Sequence, residues 1–593
     1  MIKFNVRIIS SGLIVAIITG VAIKVWLQQP SALEKEFRQK FSYTLVPLPP
    51  VNFQKALGRE VNPDEVELGR LLFSDPILSR NNDVSCATCH LSNHGFADSS
   101  SLTFGALGRG GPNGNTVGKL FGEGDLQFDR GCGDDGLGFL CTTPMFRNVP
   151  TIINTAYRVD RNTNQGLLWD GRFGDLDFQT ILPIHTGEEL CGTNPIPMGE
   201  KNTFRAGGPL FDKPVRVNHS HLADYFEGKN LNQFNAAAED ITGIPSYRLN
   251  GTLSTPTRNE CVAIAVAKIR KVPEYVNLFK KAFSSETMHD VHIGMALSSY
   301  ISTVVSKRTP YDKFVDGQNS LTEAQIRGLA LFSTEIGATQ NLGGRVLKGA
   351  GCIDCHSPPE FGGHGFESLG VAGDARSILS KPKVIFSQSG FLIKLSTIRG
   401  ILPNCHREGI SAEIGAVAPD IGRANGSSEA NDCFKFRIPS LRNVIETAPY
   451  FHHGTARGQG SVAKSLMEKN YLALKQVIRY HLRGPINIRV LNSQSTQNVF
   501  FDSLFQMDPL VPTEYLKFSN KPDANSLFPL EFSENDIDDL AQFIGLGLFD
   551  PQAVVTGEIG NNVGHPKTVP SGFQPTITRD EGTQLELPPA AKF

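Results

Sequence analysis

The sequence predicts a mostly α-helical protein that consists of two similar domains with long loops. The first reason is an internal repeat. A helix, a Cys-x-x-Cys-His motif and a Phe-Arg segment with Pro-[Ser/Thr]-x-x-Asn follow one another twice along the chain. The second reason is that no stretch alternates apolar and polar residues for long enough to predict a half-buried strand. The 58 glycines and 36 prolines among the 593 residues indicate many loops around compact helices.

The composition argues against nucleic acid as a partner. The formal net charge of −2 provides no general positive field that would attract nucleic acid or anionic lipid. The hydrophobic content of 40% and the charged content of 20% are those of an ordinary globular protein. We therefore expect contact with a membrane only through the N-terminal segment.

The N-terminus has the pattern of an export signal. Lys3 and Arg7 precede an apolar run from Ile8 to Leu27, and positive charge before an apolar stretch directs a chain to the export machinery. The run is longer than the apolar core of a typical signal peptide, and no Ala-x-Ala cleavage site follows it. We therefore expect residues 1–30 to be an uncleaved anchor, with a cleaved signal as the alternative. Either route predicts a periplasmic protein, tethered to the inner membrane or released.

The first helices are located by the signals at their ends. The segment "PSALEKEFRQKF" predicts a short amphipathic helix after the anchor. Residues 62–75 predict the next helix, with Asn62 as its N-cap, Pro63 at the first helical position and acidic residues in the first turn. This helix contains Gly-x-x-x-Phe, from Gly69 to Phe73, shortly before the first Cys-x-x-Cys-His motif.

The same kind of helix is predicted over residues 320–333, where Ser320 and Glu323 form a capping-box pattern before the second motif. A last helix is predicted over residues 533–549, with Ser533 as its N-cap. We therefore place the first domain at 31–315, the second at 316–550, and an extended tail at 551–593. The tail is rich in Pro, Gly and Thr.

Two Cys-x-x-Cys-His motifs carry the strongest chemical signal. They comprise Cys86, Cys89 and His90 in "SCATCH" and Cys352, Cys355 and His356 in "GCIDCH". In this motif the cysteines bind haem through thioether bonds and the histidine binds its iron. A redox dithiol would need a βαβ context, and a zinc site would need a second ligand pair nearby. The sequence therefore predicts two covalently bound haem c groups in two cytochrome c-like domains, with His90 and His356 as proximal ligands.

The remaining six of the ten cysteines can form disulfides in an oxidising compartment. Proximity along the chain suggests Cys132–Cys141, Cys405–Cys433 and Cys191–Cys261. Six cysteines allow many other pairings, and buried free thiols are a further alternative.

Two longer segments resemble signatures of the bacterial di-haem cytochrome c peroxidase and MauG family. These are "LLWDGRFGDLDFQTILPIHTGEEL" at 167–190 and "FKFRIPSLRNVIETAPYFHHG" at 434–454. The resemblance covers roughly residues 60–550. It implies a peroxidatic N-terminal domain and an electron-transfer C-terminal domain.

The resemblance assigns roles around the N-terminal haem. Trp169 matches the tryptophan that relays electrons between the haems. Gln179, Pro183 and Glu189 match the distal pocket: Glu189 as the acid/base that moves protons, Gln179 as a hydrogen-bonding partner, and Pro183 as the packing that keeps the face open. Leu190 stands where the family usually has Met. The alternatives are a core tryptophan and a solvated glutamate beside Glu188.

Family members that need reductive activation have a distal histidine over this haem. His94 is too close to His90 to cross the ring, and His185 lies where the family seldom has histidine. We therefore favour a permanently open, MauG-like haem over reductive activation.

The resemblance also implies a distal ligand for the C-terminal haem on a helix after the "PYFHHG" turn. His481 in "LKQVIRYHLRG" is the favoured ligand, which would give a six-coordinate haem with two histidines. Met467 in "SVAKSLMEK" is the alternative, and an exposed His481 is a third possibility.

A calcium ion between the domains is typical of the family. The matching positions are the side chain of Asn148 and the carbonyl groups of Thr447 and Pro449, and oxygen ligands in an irregular loop suit Ca²⁺. The alternative is that Asn148 only caps the following turn.

Together these features predict an enzyme that reduces hydrogen peroxide at the N-terminal haem. Electrons would arrive through the C-terminal haem and Trp169 from a small cytochrome c, a cupredoxin or an oxidised protein substrate. One alternative is a non-catalytic di-haem electron carrier, in which both irons are six-coordinate. The other is an oxygenase related to MauG, which the presence of Glu189 makes less favoured.

Overall fold

The structure, a computed structural model, describes residues 29–79, 84–98, 147–159, 166–171, 174–185, 258–284, 290–363, 365–369, 430–452, 465–483 and 532–573, with a few isolated positions between these ranges. Residues 1–28, which contain most of the predicted anchor, lie outside them. Within the described ranges, no helix combines the length and the apolar character needed to cross a membrane.

In the described part of the chain the secondary structure is mostly helical, which confirms the predicted class. Helices of the first half are α1 Ala32–Lys40, α2 Phe53–Leu57, α3 Pro63–Ser74, α4 Cys86–Cys89, α5 Leu176–His185, α6 Arg258–Ile269, α7 Pro273–Phe283 and α8 Asp290–Thr303. Helices of the second half are α9 Pro310–Val315, α10 Glu323–Ser333, α11 Leu466–Arg483 and α12 Glu534–Ala541. A π-helical turn, Gln542–Gly547, continues α12.

The predicted N-terminal ends of α3 and α12 are confirmed. The side chain of Asn62 accepts a hydrogen bond from the backbone N–H of Glu65 at 2.8 Å, directly before the first helical residue Pro63. The hydroxyl of Ser533 accepts from the N–H of Asp536 at 3.2 Å. Both caps supply acceptors for N–H groups that a helix leaves without partners in its first turn.

The predicted start of α10 is wrong by a few residues. The helix begins at Glu323, and its N-cap is Thr322, which forms a capping box with Gln325. Ser320 instead donates its hydroxyl to the carbonyl of Pro310 at 2.7 Å. Two competing capping patterns overlap in this segment, and the later one agrees with the extended backbone of Thr322.

Short strands occur where the sequence predicted none. Strand β1 Thr339–Leu342 pairs antiparallel with β2 Arg345–Lys348, and β3 Phe366–Glu367 pairs antiparallel with β4 Phe436–Arg437. Between β1 and β2, Gly343 and Gly344 have φ values of +59° and +75°. A two-residue turn with positive φ at both positions favours Gly-Gly, so this dipeptide was the signal for the hairpin.

Two helix pairs cross with their backbones in contact. A Cβ atom added at Gly69 in α3 would lie 1.9 Å from the carbonyl oxygen of Ala296 in α8. A Cβ atom added at Gly328 in α10 would lie 2.0 Å from the carbonyl oxygen of Asp539 in α12. Only glycine allows these approaches, which explains the glycine of the repeated Gly-x-x-x-Phe pattern.

The two hydrophobic cores do not follow the predicted domain boundaries. Leu33, Phe37 and Phe41 at the N-terminus belong to the core of the second half, although residues 31–315 were assigned to the first domain. Phe37 stacks on Phe41 with ring centroids 4.9 Å apart and meets Phe314 edge-on at 6.0 Å. The apolar face of α1 is therefore buried by the second half of the chain.

The C-terminal tail crosses in the opposite direction. Residues 551–573 contain no helix or named strand, yet Ala553 and Val563 are fully buried in the core of the first half. The hydroxyl of Tyr300 donates to the carbonyl of Val563 at 2.6 Å, and Arg70 donates to the carbonyl of Gly564 at 3.0 Å. This part of the predicted tail is therefore an integral part of the first half.

One disulfide cysteine falls within the described residues. Cys433 is disulfide-bonded and fully buried in the core of the second half. Its predicted partner and most other cysteines of the predicted pairs lie outside the described residues, namely Cys405, Cys132, Cys141 and Cys191. The side chain of Cys261 also lies outside them, so the pairing stays a prediction.

The helix crossing at Gly328 generates a prediction. Replacing Gly328 with Ala should lower the free energy of unfolding by about 1–3 kcal/mol, because the new methyl group meets a backbone oxygen that cannot move without shifting α12. The measurement is the denaturant or thermal unfolding midpoint of the intact protein. Gly365→Ala is the matched control, because a Cβ at Gly365 has no atom within 4 Å and its φ is not positive. Equal midpoints for the two variants would contradict the packing role.

Candidate haem sites

The first motif forms one helical turn. Helix α4 contains Cys86 and Cys89, and His90 ends it. The backbone N–H of Ser85 donates to the hydroxyl of Thr88 at 2.9 Å, which closes a capping box around this turn. Residues three apart lie on one face of a helix, so both cysteines can reach one flat ligand. Burial raises the pKa of the Cys86 thiol to about 12, so this thiol is a poor redox nucleophile.

Three histidines at the two sites have the same kind of hydrogen bond. In each, Nδ1 lies within hydrogen-bond distance of a backbone carbonyl oxygen: His90 with Phe96 at 2.9 Å, His356 with Phe361 at 3.2 Å, and His481 with Val477 at 2.8 Å. A carbonyl oxygen can only accept, so Nδ1 carries the hydrogen and Nε2 keeps its lone pair. This is the tautomer that binds iron through Nε2, held by an outer-shell hydrogen bond.

The acceptors for the two proximal histidines are built in the same way. Phe96 and Phe361 have φ values of +55° and +51°, a region that bulky side chains rarely adopt. Both side chains are fully buried, so packing holds them there. Backbone conformations of this kind persist where the surrounding structure over-determines them, often at functional sites. Each turn directs a carbonyl at an imidazole.

A cavity of about 280 Å³ surrounds the second motif. Cys352, Cys355 and His356 line it, and so does His481 from α11. Burial, followed by the nearby His481, lowers the pKa of His356 to about 4, so both rings are neutral. Met467, the alternative ligand, is buried in the core of the second half and does not line this cavity. The cavity therefore brings together His356 and His481, the two histidines that would bind the iron of a haem held there.

Trp169 lies at the boundary between the two halves. It lines the same cavity, and its indole N–H donates to the carbonyl of Asn148 at 2.7 Å. Its own carbonyl accepts from the N–H of Arg437 in β4 at 2.7 Å. The ring of His452 meets it edge-on, with centroids 6.4 Å apart. The indole is thus fixed against the wall of the second site by both halves of the chain.

The predicted distal residues of the first site lie on α5 and just after it. Gln179 and Pro183 are half-buried and one helical turn apart, so they share a face of the helix. Glu189 is half-buried and close enough to Cys86 for its charge to contribute to the raised pKa of that thiol. The structure therefore associates Glu189 with the first motif. His185 ends α5, and its side chain lies outside the described residues.

His94 follows closely after His90 and lies in the same loop. It is buried in the 3₁₀ turn Ser92–His94, where its N–H donates to the carbonyl of Leu91 at 3.0 Å. This turn belongs to the loop that carries His90.

The predicted calcium residues meet across the boundary between the halves. Asn148, Thr447 and Pro449 all line the cavity, and the amide nitrogen of Asn148 lies 2.5 Å from the carbonyl oxygen of Pro449. The amide oxygen of Asn148 is buried without a hydrogen-bond partner. A buried amide oxygen beside backbone carbonyl groups is a donor set that Ca²⁺ accepts. The contact to Pro449 also argues against Asn148 acting only as a cap of its own turn.

The sequence did not point to His565 in the tail. Its Nε2 accepts from the N–H of Ser92 at 3.1 Å, and its Nδ1 lies 3.2 Å from the hydroxyl of Ser74. Its ring stacks on Phe73 at 6.1 Å and meets Phe96 edge-on at 5.7 Å. His565 in the tail therefore packs against the loop that carries His90. All of these contacts span several hundred residues of sequence, so no local pattern reveals them.

Two Cys-x-x-Cys-His motifs on a mostly helical chain, each with a histidine oriented to bind iron, define a c-type di-haem protein. A family model described as di-haem cytochrome c peroxidase matches residues 63–205 and 235–320. This match and relatives named cytochrome c peroxidase and MauG agree with the resemblance to the di-haem cytochrome c peroxidase and MauG family, and the chain is a peroxidase-like oxidoreductase. The resemblance inferred from the sequence is therefore confirmed.

Relatives share the family at low sequence identity. Cytochrome c551 peroxidase from Nitrosomonas europaea is 22% identical over 408 residues, which are 69% of this chain and 73% of that protein. The methylamine utilization protein MauG from Methylorubrum extorquens is 24% identical over 346 residues, 58% of this chain and 61% of that protein. The solved structure of the diheme peroxidase BthA from Burkholderia thailandensis covers 87% of this chain and 94% of its own, at 17% identity and a TM-score of 0.43.

Proposed function

We propose that the chain reduces hydrogen peroxide at its N-terminal haem with electrons that enter through the C-terminal haem. The observation that best supports this division is an asymmetry between the two sites. The second cavity is lined by two histidines, His356 and His481. The first motif instead has a carboxylate, Glu189, near Cys86. An iron with two strong protein ligands is closed to substrate, whereas an iron with an open face can bind it.

Each residue of the first site then has a role. Bound haem supplies the iron that exchanges electrons with peroxide. His90 holds that iron through Nε2, because its Nδ1 hydrogen is committed to Phe96. Glu189 takes a proton from one peroxide oxygen and returns it to the other as the O–O bond breaks. Gln179 orients the peroxide by a hydrogen bond, and Pro183 fills space without offering an iron ligand.

The first site is proposed to be permanently open, like that of MauG. His94 is held in a turn of the loop that carries His90, which supports a structural rather than a ligating role. His185 is proposed as a local structural residue or a hydrogen-bonding partner in the pocket. No reductive removal of a blocking histidine is then needed before peroxide binds.

Trp169 is proposed as the electron relay between the haems. Support comes from its place on the wall of the second cavity and from its hydrogen bonds to both halves. The indole is held by the hydrogen bond from its N–H to Asn148 on one side and by the ring of His452 on the other, so it moves little when it gains or loses an electron. The electron donor is proposed to be a small reduced cytochrome c or cupredoxin, or a side chain of a protein substrate that is oxidised in the reaction.

The proposed compartment is the periplasm, with residues 1–30 as the tether. In this proposal residues 31–315 carry the peroxidatic site and residues 316–550 the electron-transfer site. Helix α1 packs in the core of the second half, and residues 551–573 pack in the core of the first half. Helix α1 therefore goes with the electron-transfer site and the tail with the peroxidatic site, because of the cores into which they pack.

Glu189→Gln tests the catalytic role. We expect kcat/KM for peroxide to fall about a hundred- to ten-thousand-fold, because the amide cannot move the proton during O–O cleavage. The measurement is steady-state peroxide reduction with a reduced cytochrome c as donor. Glu188→Gln is the matched control, which should keep wild-type turnover. If Glu189→Gln also kept wild-type turnover, the proposed proton-transfer role of Glu189 would be wrong.

Electron paramagnetic resonance of the resting protein tests the distal ligand. His481→Ala should convert the low-spin signal of the C-terminal haem to high spin, whereas Met467→Leu should leave it unchanged. Leu conserves the volume of Met, so this control tests ligation with little change in packing. The reverse pattern would make Met467 the ligand. Low-spin signals alone in the wild-type protein, unchanged by peroxide, would instead indicate a non-catalytic electron carrier.

Stable binding of O₂ without peroxide would favour the second candidate function, a MauG-related oxygenase. The similarity to MauG proteins supports keeping this candidate. The carboxylate of Glu189 near the first motif favours peroxide chemistry over it.

A calcium ion at Asn148, Thr447 and Pro449 is proposed to join the two halves. The buried amide oxygen of Asn148, which has no hydrogen-bond partner, supports this site. Adding Ca²⁺ to chelator-treated protein should raise its thermal midpoint, because a ligand that binds only the folded state stabilises it. Asn148→Ala should abolish that rise, whereas Asn341→Ala in strand β1 should retain it. A rise of equal size in both variants would place the calcium elsewhere.

A further inference from the structure

Two buried arginines in the second cavity have guanidinium nitrogen atoms without a hydrogen-bond partner. Arg158 is 6% exposed and Arg437 is 7% exposed, and both line the cavity. The Nε and Nη2 atoms of Arg158 and the Nε atom of Arg437 are buried without a hydrogen-bond partner. Leaving a charged donor buried and unpaired is costly, so such groups indicate a missing acceptor.

The two guanidinium groups are also close enough to repel each other. Burial, followed by the charge of Arg158, lowers the pKa of Arg437 to about 9. Burial likewise lowers the pKa of Arg158 to about 10. Both groups nevertheless stay protonated at neutral pH, so the cavity wall carries two positive charges.

The carboxylate of Asp170, whose charge acts on Arg437, already pairs with another arginine. Asp170 is fully buried and pairs with Arg147 at 2.8 Å. Arg437 donates from Nη1 to the carbonyl of Gly166 at 2.9 Å, which is a neutral acceptor. The other carboxylate whose charge acts on this pair is Glu360, beside Arg158. Two buried cations with unused donor atoms and few counter-charges nearby call for an anion inside the cavity.

The two arginines line the same cavity as Cys352 and Cys355, so the anion and the haem bound to these cysteines would occupy the same space. A haem c attached there has an apolar ring that suits the apolar wall and propionate carboxylates that carry negative charge. We infer that Arg158 and Arg437 bind the propionate groups of the C-terminal haem. Guanidinium groups bind carboxylates with paired, charge-assisted hydrogen bonds, which suits both the charge and the unused N–H groups.

This assignment has an electrostatic consequence for the haem. Two cations beside the propionates keep these groups ionised throughout the neutral range and compensate their charge. Removing one cation makes the surroundings of the iron more negative, which favours the oxidised state and lowers the midpoint potential. It also raises the propionate pKa, so reduction becomes coupled to proton uptake.

The test is a redox titration of the intact holoprotein, followed in the absorption bands of the C-terminal haem at several pH values. Arg158→Gln and Arg437→Gln should each lower its midpoint potential and make that potential fall with rising pH. Arg158→Lys and Arg437→Lys keep the charge and should lie close to wild type, which separates charge from packing. The control is Arg345→Gln, which removes a partly exposed arginine that pairs with Asp536 and Asp539 away from the cavity.

Two results would overturn the assignment. One is a wild-type, pH-independent potential in both Gln variants, or an equal shift in Arg345→Gln. The other is a wild-type potential that depends on added phosphate, because the arginines would then hold a soluble anion. If a Gln variant fails to fold, its Lys variant decides: a potential well below wild type despite the retained charge also contradicts the inference. The inference rests on the C-terminal haem of the proposed function but not on peroxide turnover, so the potentials remain informative if turnover is absent.

Discussion

Two helix crossings position the segments that carry the haem-binding motifs. Helix α3 contacts the backbone of α8 at Gly69, and α10 contacts the backbone of α12 at Gly328. One turn after Gly328, Phe332 packs edge-on against Phe361 at 5.7 Å, and Phe361 supplies the carbonyl that orients His356. One turn after Gly69, the ring of Phe73 lies 6.0 Å from that of His90. A larger residue at either glycine would move the helix, then the aromatic ring, and finally the imidazole.

The parts of this fold that sequence could predict are those written in a few consecutive residues. The cap at Asn62 and the Cys-x-x-Cys-His turns depend on neighbours within one helical turn, so their patterns are readable. The start of α10 was misplaced because two capping patterns overlap, and the better one, at Thr322, lies two residues further on. The hairpin at Gly343 was missed because a single short pair of strands gives almost no alternation to detect.

The site divides in the same way. His481 and Met467 are fourteen residues apart on one helix, close to four full turns, so they lie on nearly the same face. Helical periodicity therefore could not choose between them. The two positions are about 21 Å apart along α11, and the cavity lies at the position of His481. Arg158, Arg437 and His565 were not predicted at all, because each gains its meaning from residues far away in sequence. Family resemblance named Glu189 and Trp169, and local physics alone would have left both as ordinary residues.

The crossing of the chain ends bears on how the molecule is made. Helix α1 leaves the ribosome early but completes a core formed hundreds of residues later, and residues 551–573 complete a core begun near the start. Native contacts of such long sequence separation fold slowly, because large loops must close first. A fragment that ends before Val563 would leave the hydroxyl of Tyr300 without its acceptor and the first core open. Residues around Val563 are therefore needed to complete the core that supports the first haem site.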